Sequence, residues 1–367
     1  MKLYNFKEVA SKFKFEGSYA MVEPYGCGHI NETFVAYFKI GDMKIRRYIL
    51  QRVNNNIFKE PEKVMSNIEL VTNHLREKIL QNGGNPHREA LNLIPTHEGK
   101  LYYIAEDGGL WRGMTFIEGA RTYQTVENPQ HFYNAGSAFG QFQRYLEDFP
   151  ADKLYETISN FHNTEKRYAD FLEAVNNDIA GRAKDVQEEI EFAKKHAEDA
   201  KVIVKLIAEG KIPLRVTHND TKLNNIMIDE ATGEGICVID LDTVMPGSAL
   251  YDYGDSIRFG ASSAAEDERD LSKVYMDISL FEAFTKGFLS KVGEILTPAE
   301  IEYLAFSAKL MTYECGIRFL ADHLNGDVYF RIHREGHNLD RARTQFKLVE
   351  DMEKKMDLMN EIVKKYI

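Results

Sequence analysis

The chain has 367 residues, of which 44% are hydrophobic and 11% aromatic, enough for a sizeable core and too many for a wholly disordered chain. At about 150 residues per domain, this length predicts two domains. Acidic residues outnumber basic ones by 57 to 46, and the net charge of −11 argues against a nucleic-acid-binding protein. No apolar run approaches the roughly 18 residues of a membrane helix. We expect a cytoplasmic protein, because its cysteines are too few and too scattered for a disulfide framework or a CxxC metal site: Cys27, Cys237 and Cys315.

The first third of the chain has the pattern of a small β-sheet with one helix. Segments rich in aromatic and β-branched residues alternate with turn residues, which is typical of strands. Apolar residues at helical spacing, such as Val64, Ile68 and Val71, predict a helix over residues 61–80. The predicted strands are 19–25, 32–40, 44–53, 91–95, 100–105 and 110–117.

The rest of the chain has the pattern of long helices. We expect one helix over residues 129–147 and one or two over residues 164–210. Near the carboxyl end, Thr297 and Glu300 have the spacing of a capping box around Pro298, which predicts that a helix starts there. The fold class is therefore α+β, with strands concentrated before helices.

The most informative segment reads RVTHNDTKLNNIMID over residues 215–229 and then ICVIDLD over residues 236–242. Its two short apolar runs, joined by a turn, predict a β-hairpin with polar groups at its outer ends. Asp220, Asn225 and Asp240 would converge there, and their oxygen atoms suit a hard cation such as magnesium. The spacing also suits phosphoryl transfer, which needs an aspartate to orient the attacking hydroxyl. An ordinary surface hairpin is the alternative.

Longer runs of specific sequence occur along most of the chain: PYGCGHIN from residue 24, VTHNDTKLNN from 216, IDLDT from 239, MPGS from 245, GDSIRFG from 254 and ECGIRFLAD from 314. They resemble the aminoglycoside phosphotransferase and choline kinase superfamily, and within it the N-acetylhexosamine 1-kinases. The resemblance implies a bilobal protein-kinase-like fold. Its small, strand-rich nucleotide-binding lobe would span residues 1–118. A larger, mainly helical lobe over residues 119–367 would hold the catalytic loop, the metal site and the sugar pocket.

The resemblance also implies an activity. It predicts a kinase that uses ATP and Mg²⁺ to transfer the γ-phosphoryl group to the anomeric C1 hydroxyl of N-acetylglucosamine or N-acetylgalactosamine. A kinase of the same superfamily that acts on another sugar, an amino alcohol or an aminoglycoside is the alternative. A catalytically inactive nucleotide- or sugar-binding protein is a third possibility, which the joint presence of Asp220, Asn225 and Asp240 disfavours. The expected partner is a small sugar, without nucleic acid or membrane, and the expected state is a monomer.

Site roles follow from the matching positions in the resemblance. Asp220 would be the catalytic base and would contact the sugar, and Lys222 would meet the transferring phosphoryl group, although such a lysine can also face solvent. Asn225 and Asp240 would be the magnesium ligands, and Asp242 an auxiliary metal residue. Loop-bracing roles are expected for His218, Asp252 and Asp255.

The glycine-rich turn is weaker evidence for nucleotide binding. Gly26 and Gly28 would place backbone N–H groups over the phosphates. A complete G-x-G-x-x-G is absent because Asn31 occupies the last position. A simple hairpin turn is the alternative. No G-x-x-x-x-G-K-[ST] sequence is present, which excludes a Walker-type kinase.

The remaining nucleotide contacts are expected on the third strand, the first helix and the hinge. Gln51 and Arg52 are the candidates for the phosphates, and only one of them can face the cleft, because adjacent strand residues point to opposite sides. The resemblance favours Gln51. Glu69 would be the partner of the phosphate-binding group, with a solvated glutamate as the alternative. Phe116 and Ile117 would lie beside adenine.

The sugar contacts implied by the resemblance are His29, Arg318 and Tyr329. Arg318 has Glu314 and Asp322 four residues to either side, so an ion-pair ladder along one helix is an equally good interpretation. Tyr329 is alternatively a core aromatic residue. His29 lies in the glycine-rich turn and is expected to contact either phosphate or sugar.

Overall fold

The computed structural model of the protein describes residues 4–26, 30–41 and 43–367. Its first third is built around an antiparallel sheet that packs against one long helix, α2. Pro61 is the first residue of α2, and the predicted apolar stripe is buried on one side of this helix. In chain order the elements are α1 (Phe6–Ser11), β1 (Ser18–Pro24), β2 (Glu32–Ile40), β3 (Lys44–Arg52), α2 (Pro61–Gln81), α3 (Pro86–Glu89), β4 (Leu93–Ile94), β5 (Tyr103–Ile104) and β6 (Leu110–Thr115).

The strand order of this sheet is β1-β2-β3-β6-β4, and β5 also pairs with β6. Thr33 of β2 is opposite Gln51 of β3, and Gln51 is opposite Arg112 of β6. Directly opposed residues of neighbouring strands point to the same face of a sheet. The three side chains therefore form a row across one face of the sheet, and Arg112 places a charge on that face.

The remainder of the described chain is mainly helical and contains two small β-ladders. One ladder has the order β10-β9-β7, and β11 pairs with β8 in the other. The elements are β7 (Ala120–Arg121), α4 (Pro129–Tyr145), α5 (Thr164–Asn177), α6 (Gln187–Lys195), α7 (Asp199–Ala208), β8 (Arg215–Thr217), β9 (Ile226–Asp229), β10 (Gly235–Val238), β11 (Met245–Gly247), α8 (Ala249–Gly260), α9 (Ile278–Val292), α10 (Pro298–Glu302), α11 (Leu304–Leu324) and α12 (His337–Lys365).

Helices α4 and α9 cross at glycines. A Cβ atom added at Gly136 would lie 2.3 Å from Phe284 O, and one at Gly287 would lie 2.1 Å from Tyr133 O. Both distances are far below van der Waals contact, so larger residues would force the helices apart. Helix α11 is buried along most of its length and packs against α5, α8 and α12. This helical core supports the two ladders.

The predicted α+β class is confirmed, with the strand-rich part before the helical part. The strands predicted over 91–95 and 100–105 are shorter, with two residues each, because only those residues pair with β6. The prediction of one or two helices over 164–210 is wrong, since α5, α6 and α7 are separate. Helix α5 ends where Asp178 adopts a left-handed φ of 39°.

The predicted capping box is confirmed at the start of α10. The Thr297 N–H donates to Glu300 Oε2 at 2.7 Å, and the Glu300 N–H donates to Thr297 Oγ1 at 3.2 Å.

Within the described ranges, no helix combines the length and apolar character needed to cross a membrane. The expected boundary between the two lobes, after residue 118, lies between β6 and β7, and the division into lobes stays a prediction.

Candidate functional site

Asp220 lies in the loop between β8 and β9, with Lys222 and Asn225 folded around it. Lys222 Nζ is 2.7 Å from Asp220 Oδ1. Asn225 Nδ2 donates to the Asp220 main-chain oxygen at 2.8 Å and to Asp220 Oδ2 at 3.2 Å. Burial alone would raise the pKa of Asp220, but the charge of Lys222 and its hydrogen bond outweigh burial and lower this pKa. Asp220 is therefore an ionised carboxylate at neutral pH.

The predicted hairpin is formed by β9 and β10, and it brings Asp240 next to Asn225. The Ile239 N–H donates to Asn225 O at 2.9 Å. Asp240 follows with a left-handed φ of 59°, a conformation that aspartate tolerates better than most residues. Its side chain reaches solvent in the cleft, yet desolvation by the cleft walls, with the charges of Asp242 and Asp220, raises its pKa to about 6.

Asp242 is engaged by two side chains from the strand-rich part of the protein. Arg112 Nη1 donates to Asp242 Oδ1 and Asn31 Nδ2 donates to Asp242 Oδ2, both at 2.5 Å. The Arg112 and Asp242 side chains are only 2% and 3% exposed. Each carboxylate oxygen thus already has a donor. In this conformation Asp242 is an anchor for Arg112, and Asn225 and Asp240 offer further oxygen atoms to a cation; an auxiliary metal role for Asp242 stays a prediction.

Sequence reasoning missed Arg112. Gln51 Oε1 accepts hydrogen bonds from Arg112 Nε at 2.9 Å and from Nη2 at 2.5 Å, and Gln51 Nε2 donates to Thr33 Oγ1 at 2.8 Å. These contacts join the row of side chains across β2, β3 and β6. The available signal was a charged residue within the apolar run LWRGM, because a buried arginine needs acidic or carbonyl partners.

Gln51, not Arg52, faces the cleft. Arg52 lies on the opposite face of the sheet, where Nη2 is 2.7 Å from Asp107 Oδ2 and Nη1 is 3.1 Å from the Tyr4 hydroxyl. The suggestion of Arg52 as a phosphate ligand is thereby corrected, because strand alternation turns it away. Glu69 is exposed on α2 and its carboxylate bonds to no described residue, so its role beside the phosphate-binding group stays a prediction.

The glycine-rich turn is only partly described. Gly26 follows β1 and has a left-handed φ of 77°, with open space around its α-carbon. Gly28 and His29, the other expected residues of this turn, lie outside the described residues. The described chain resumes at Ile30. The next residue, Asn31, connects this turn to Asp242 through the hydrogen bond from its Nδ2 to Asp242 Oδ2.

The loop that carries Asp220 is held by hydrogen bonds to α8. The Asp252 carboxylate accepts the N–H groups of His218 at 2.9 Å and Asn219 at 2.7 Å. Asp255 accepts the Thr221 N–H at 3.2 Å. His218 Nε2 donates to the Ile239 carbonyl at 2.8 Å while its Nδ1 accepts the Asp220 N–H at 3.2 Å. The expected bracing contacts of His218, Asp252 and Asp255 are therefore all present.

Phe116 and Ile117 follow β6, where an adenine-binding hinge is expected. Ile117 packs with Met227 of β9 and Ile239 after β10 in a small apolar cluster. The Arg47 guanidinium lies 3.8 Å from the centre of the Phe116 ring. The hinge segment and the hairpin thus form an apolar floor beside Asp240, with a flat aromatic ring at its edge.

Arg318 of α11 pairs with Glu314, at 3.4 Å between Nη1 and Oε1, and not with Asp322. Asp322 instead accepts three backbone N–H groups, from Val328, Tyr329 and Phe330, at 2.8–3.0 Å. Half of the predicted ladder is therefore correct. Asp322 fixes the loop that carries Tyr329, a residue that is 63% exposed and so is not a core residue.

A family profile described as the phosphotransferase enzyme family matches residues 38–275. The chain belongs to this family. Solved structures of phosphotransferases show the same fold at low sequence identity. A microcompartment-associated aminopropanol kinase is 12% identical with a TM-score of 0.61, over 97% of this chain and 98% of the other. An aminoglycoside phosphotransferase from Alicyclobacillus acidocaldarius is 14% identical with a TM-score of 0.60, over 100% and 98%. An amicoumacin kinase, solved with AMP-PNP, Ca²⁺ and Ami, is 14% identical with a TM-score of 0.59, over 94% and 93%.

The donor set of this phosphotransferase fits a divalent cation. Asn225 and Asp240 present carboxamide and carboxylate oxygens, which hard cations prefer. The carboxylates of Asp220 and Asp242 lie near enough to raise the pKa of Asp240, after the larger effect of its desolvation. A bound cation would relieve that repulsion. The cleft therefore combines an ionised carboxylate, a hard-cation donor set and an apolar floor.

Proposed function

We propose that the protein is an ATP- and Mg²⁺-dependent kinase that phosphorylates the anomeric C1 hydroxyl of N-acetylglucosamine or N-acetylgalactosamine. The observation that carries the kinase part is the loop in which ionised Asp220 is held against Lys222 and Asn225, with Asp240 beside them. Phosphoryl transfer depends on positioning and charge neutralisation, which this set of groups supplies. The hexosamine part rests on the sequence resemblance and on the charge of the acceptor pocket.

In the proposed reaction, Asp220 accepts a hydrogen bond from the C1 hydroxyl and takes its proton as the oxygen attacks the γ-phosphorus. An anomeric hydroxyl is more acidic than an ordinary alcohol, so a carboxylate of lowered pKa suffices. Lys222 lies against Asp220 and would neutralise charge on the transferred group. Mg²⁺ held by Asn225 and Asp240 would supply further neutralisation on the phosphates.

Arg112 is the proposed buried cation on the phosphate side of this cleft, and it would act through its ion pair with Asp242 because its side chain is only 2% exposed. The residue on β3 that faces the cleft is the neutral Gln51, and it holds the Arg112 guanidinium through two hydrogen bonds. The positive charge thus comes from the neighbouring strand β6. Adenine would rest on the apolar floor formed by Ile117, Met227 and Ile239, beside Phe116. The nucleotide would then lie between the proposed lobes, residues 1–118 and 119–367.

On the proposed acceptor side, two arginines lie near one buried carboxylate. Arg167 and Arg318 both lie at Phe161: Arg167 Nε donates to Phe161 O at 3.0 Å, and the Arg318 guanidinium is 5.5 Å from the Phe161 ring centre. Burial and the Arg318 charge lower the pKa of Arg167. Glu314 pairs with Arg318, and its charge also acts on Arg167. Such a pocket disfavours cationic amines and favours a neutral acyl sugar, whose carbonyl accepts hydrogen bonds.

The proposal is tested by incubating the protein with ATP, Mg²⁺ and matched acceptors while ADP release is measured. N-Acetylglucosamine and N-acetylgalactosamine should be turned over, whereas glucosamine, ethanolamine, 1-amino-2-propanol and kanamycin should not. Asp220→Asn should abolish turnover and leave ATP binding within about threefold of wild type, because the change removes the base without altering side-chain size. Turnover of the amines in preference to the acetylated sugars would overturn the substrate assignment. Unchanged turnover by Asp220→Asn would overturn the mechanism.

A further inference from the structure

His162 is a buried residue just before α5, and the proposed chemistry does not use it. Its side chain is 7% exposed, and it bridges helix α11 and the catalytic loop. Nδ1 is 3.0 Å from Glu314 Oε1, and Nε2 is 3.2 Å from the main-chain oxygen of Asn219. Glu314 is in turn the partner of Arg318. His162 therefore connects the acceptor side to the residue immediately before Asp220.

Both ring nitrogens of His162 face acceptors. The Asn219 carbonyl has no proton to donate, so Nε2 must carry one. Glu314 Oε1 is a carboxylate oxygen that also accepts from Arg318, so Nδ1 must carry the second proton. A neutral imidazole can satisfy only one of these contacts and would leave two lone pairs opposed in a buried site. The geometry is that of an imidazolium ion.

The groups around His162 fit this charge state. Glu314 and Arg318 approach from α11, Arg167 lies on α5, and Asp255 and the Tyr251 ring approach from α8. Burial and the charge of Arg318 oppose the positive charge, but the Glu314 carboxylate, with a smaller effect of Asp255, outweighs them and the pKa of His162 is raised. The pKa of Glu314 is lowered against its own burial, chiefly by the charge of His162.

The carbonyl that His162 holds belongs to the peptide unit that orients Asp220. Asn219 has a left-handed φ of 63°, and its own N–H donates to Asp252. The same Asn219–Asp220 peptide has its C=O bound by His162 and its N–H bound by His218 Nδ1. Two histidines thus fix both polar ends of one peptide plane. Because that plane sets the direction of the Asp220 side chain, a rotation of it would move the carboxylate.

We propose that His162 is a permanently protonated positioning residue, which links the acceptor-side pair Glu314–Arg318 to the orientation of Asp220. Its effect on turnover rests on the proposed function, in which Asp220 is the base. Its protonation state does not, so the two can fail separately. His196 offers a matched control. His196 is also buried. Its Nδ1 is 2.9 Å from Phe192 O, on α6, and its Nε2 is 3.0 Å from Glu353 Oε1, on α12.

The first test is nitrogen NMR of the substrate-free protein labelled with ¹⁵N-histidine, with the His162 signals assigned by their loss in His162→Gln. Both ring nitrogens should show protonated shifts between pH 6 and pH 8. One unprotonated ring nitrogen at pH 7 would overturn the proposal, whatever the substrate of the enzyme is.

The second test compares steady-state kinetics of His162→Gln and His196→Gln. His162→Gln should lower kcat about 10- to 100-fold, because small displacements of a catalytic group have effects of that size, and should change KM for ATP less than about twofold. His196→Gln should keep kcat within about twofold while losing a similar amount of thermal stability. If both variants lower kcat equally, or if His162→Gln keeps full kcat, the positioning role is refuted.

Discussion

The buried ion pair between Arg112 and Asp242 allows a quantitative test of the cleft. Arg112→Met retains the unbranched stem of the side chain but removes the guanidinium and its charge. Asp242, which is 3% exposed, would keep its negative charge with Asn31 as its remaining donor. The variant therefore isolates the effect of leaving one carboxylate buried without a cation.

The expected loss follows from the geometry. With the charge centres about 4 Å apart and an effective dielectric constant near 20, the attraction is about 4 kcal/mol. Removal of one partner from a buried pair usually destabilises a protein by about 3–5 kcal/mol, because the other charge stays desolvated. Arg112→Met/Asp242→Asn removes both charges and should recover about 2 kcal/mol or more of that loss.

The assay is urea unfolding of wild type, the two single variants and the double variant, analysed as a double-mutant cycle. Arg215→Met is a matched control, since it breaks a buried pair with Glu300 away from the cleft. It should lose stability but keep kcat, whereas Arg112→Met should lose both stability and affinity for ATP. A coupling free energy below about 0.5 kcal/mol between Arg112 and Asp242 would refute the reasoning.

Three further changes test the fold and the metal site. Gly287→Ala should lower the free energy of unfolding by about 1–3 kcal/mol in urea, because its Cβ would overlap the Tyr133 carbonyl; a neutral effect would contradict the close helix crossing. Thr297→Ala should lower it by about 1 kcal/mol with kcat unchanged, since the capping box lies outside the cleft, and a change in kcat would contradict that placement. The pKa of Asp240 is raised to about 6 from 3.8, so its charge destabilises the metal-free folded state increasingly as pH rises through this interval. Asp240→Asn should therefore raise the Tm of the metal-free protein more at pH 7.5 than at pH 4.5, and the reverse order, measured by scanning calorimetry, would be inconsistent with a raised pKa.

The local parts of the site could be predicted from the sequence. The hairpin at residues 226–238 follows from short apolar runs around a turn, and its geometry brings Asn225 to Asp240 without help from distant elements. The bracing of the loop by His218 and Asp252 was also expected and is present. These contacts lie within about 35 residues of chain, so their spacing along the sequence limits their spacing in the fold.

The long-range parts could not be predicted. Arg112 and Asp242 are 130 residues apart, and strand periodicity identifies which face a residue takes, not which partner lies opposite. The same limit applies to His162 and Glu314, which are 152 residues apart. Glu69 shows the converse: its position on α2 was predicted, but the rotation of the helix buries Met65 and Ile68 and leaves Glu69 in solvent.

The position of the transferred phosphate tests the central proposal most directly. The product formed from N-acetylglucosamine, ATP and Mg²⁺ should be examined by phosphorus NMR with proton coupling. The proposed reaction places phosphate on C1, so the phosphorus signal should be split by the single anomeric proton. A signal split by two protons would instead place the phosphate on C6. That result, or phosphate on an amino alcohol with no sugar product, would contradict the assignment of this phosphotransferase as a hexosamine 1-kinase.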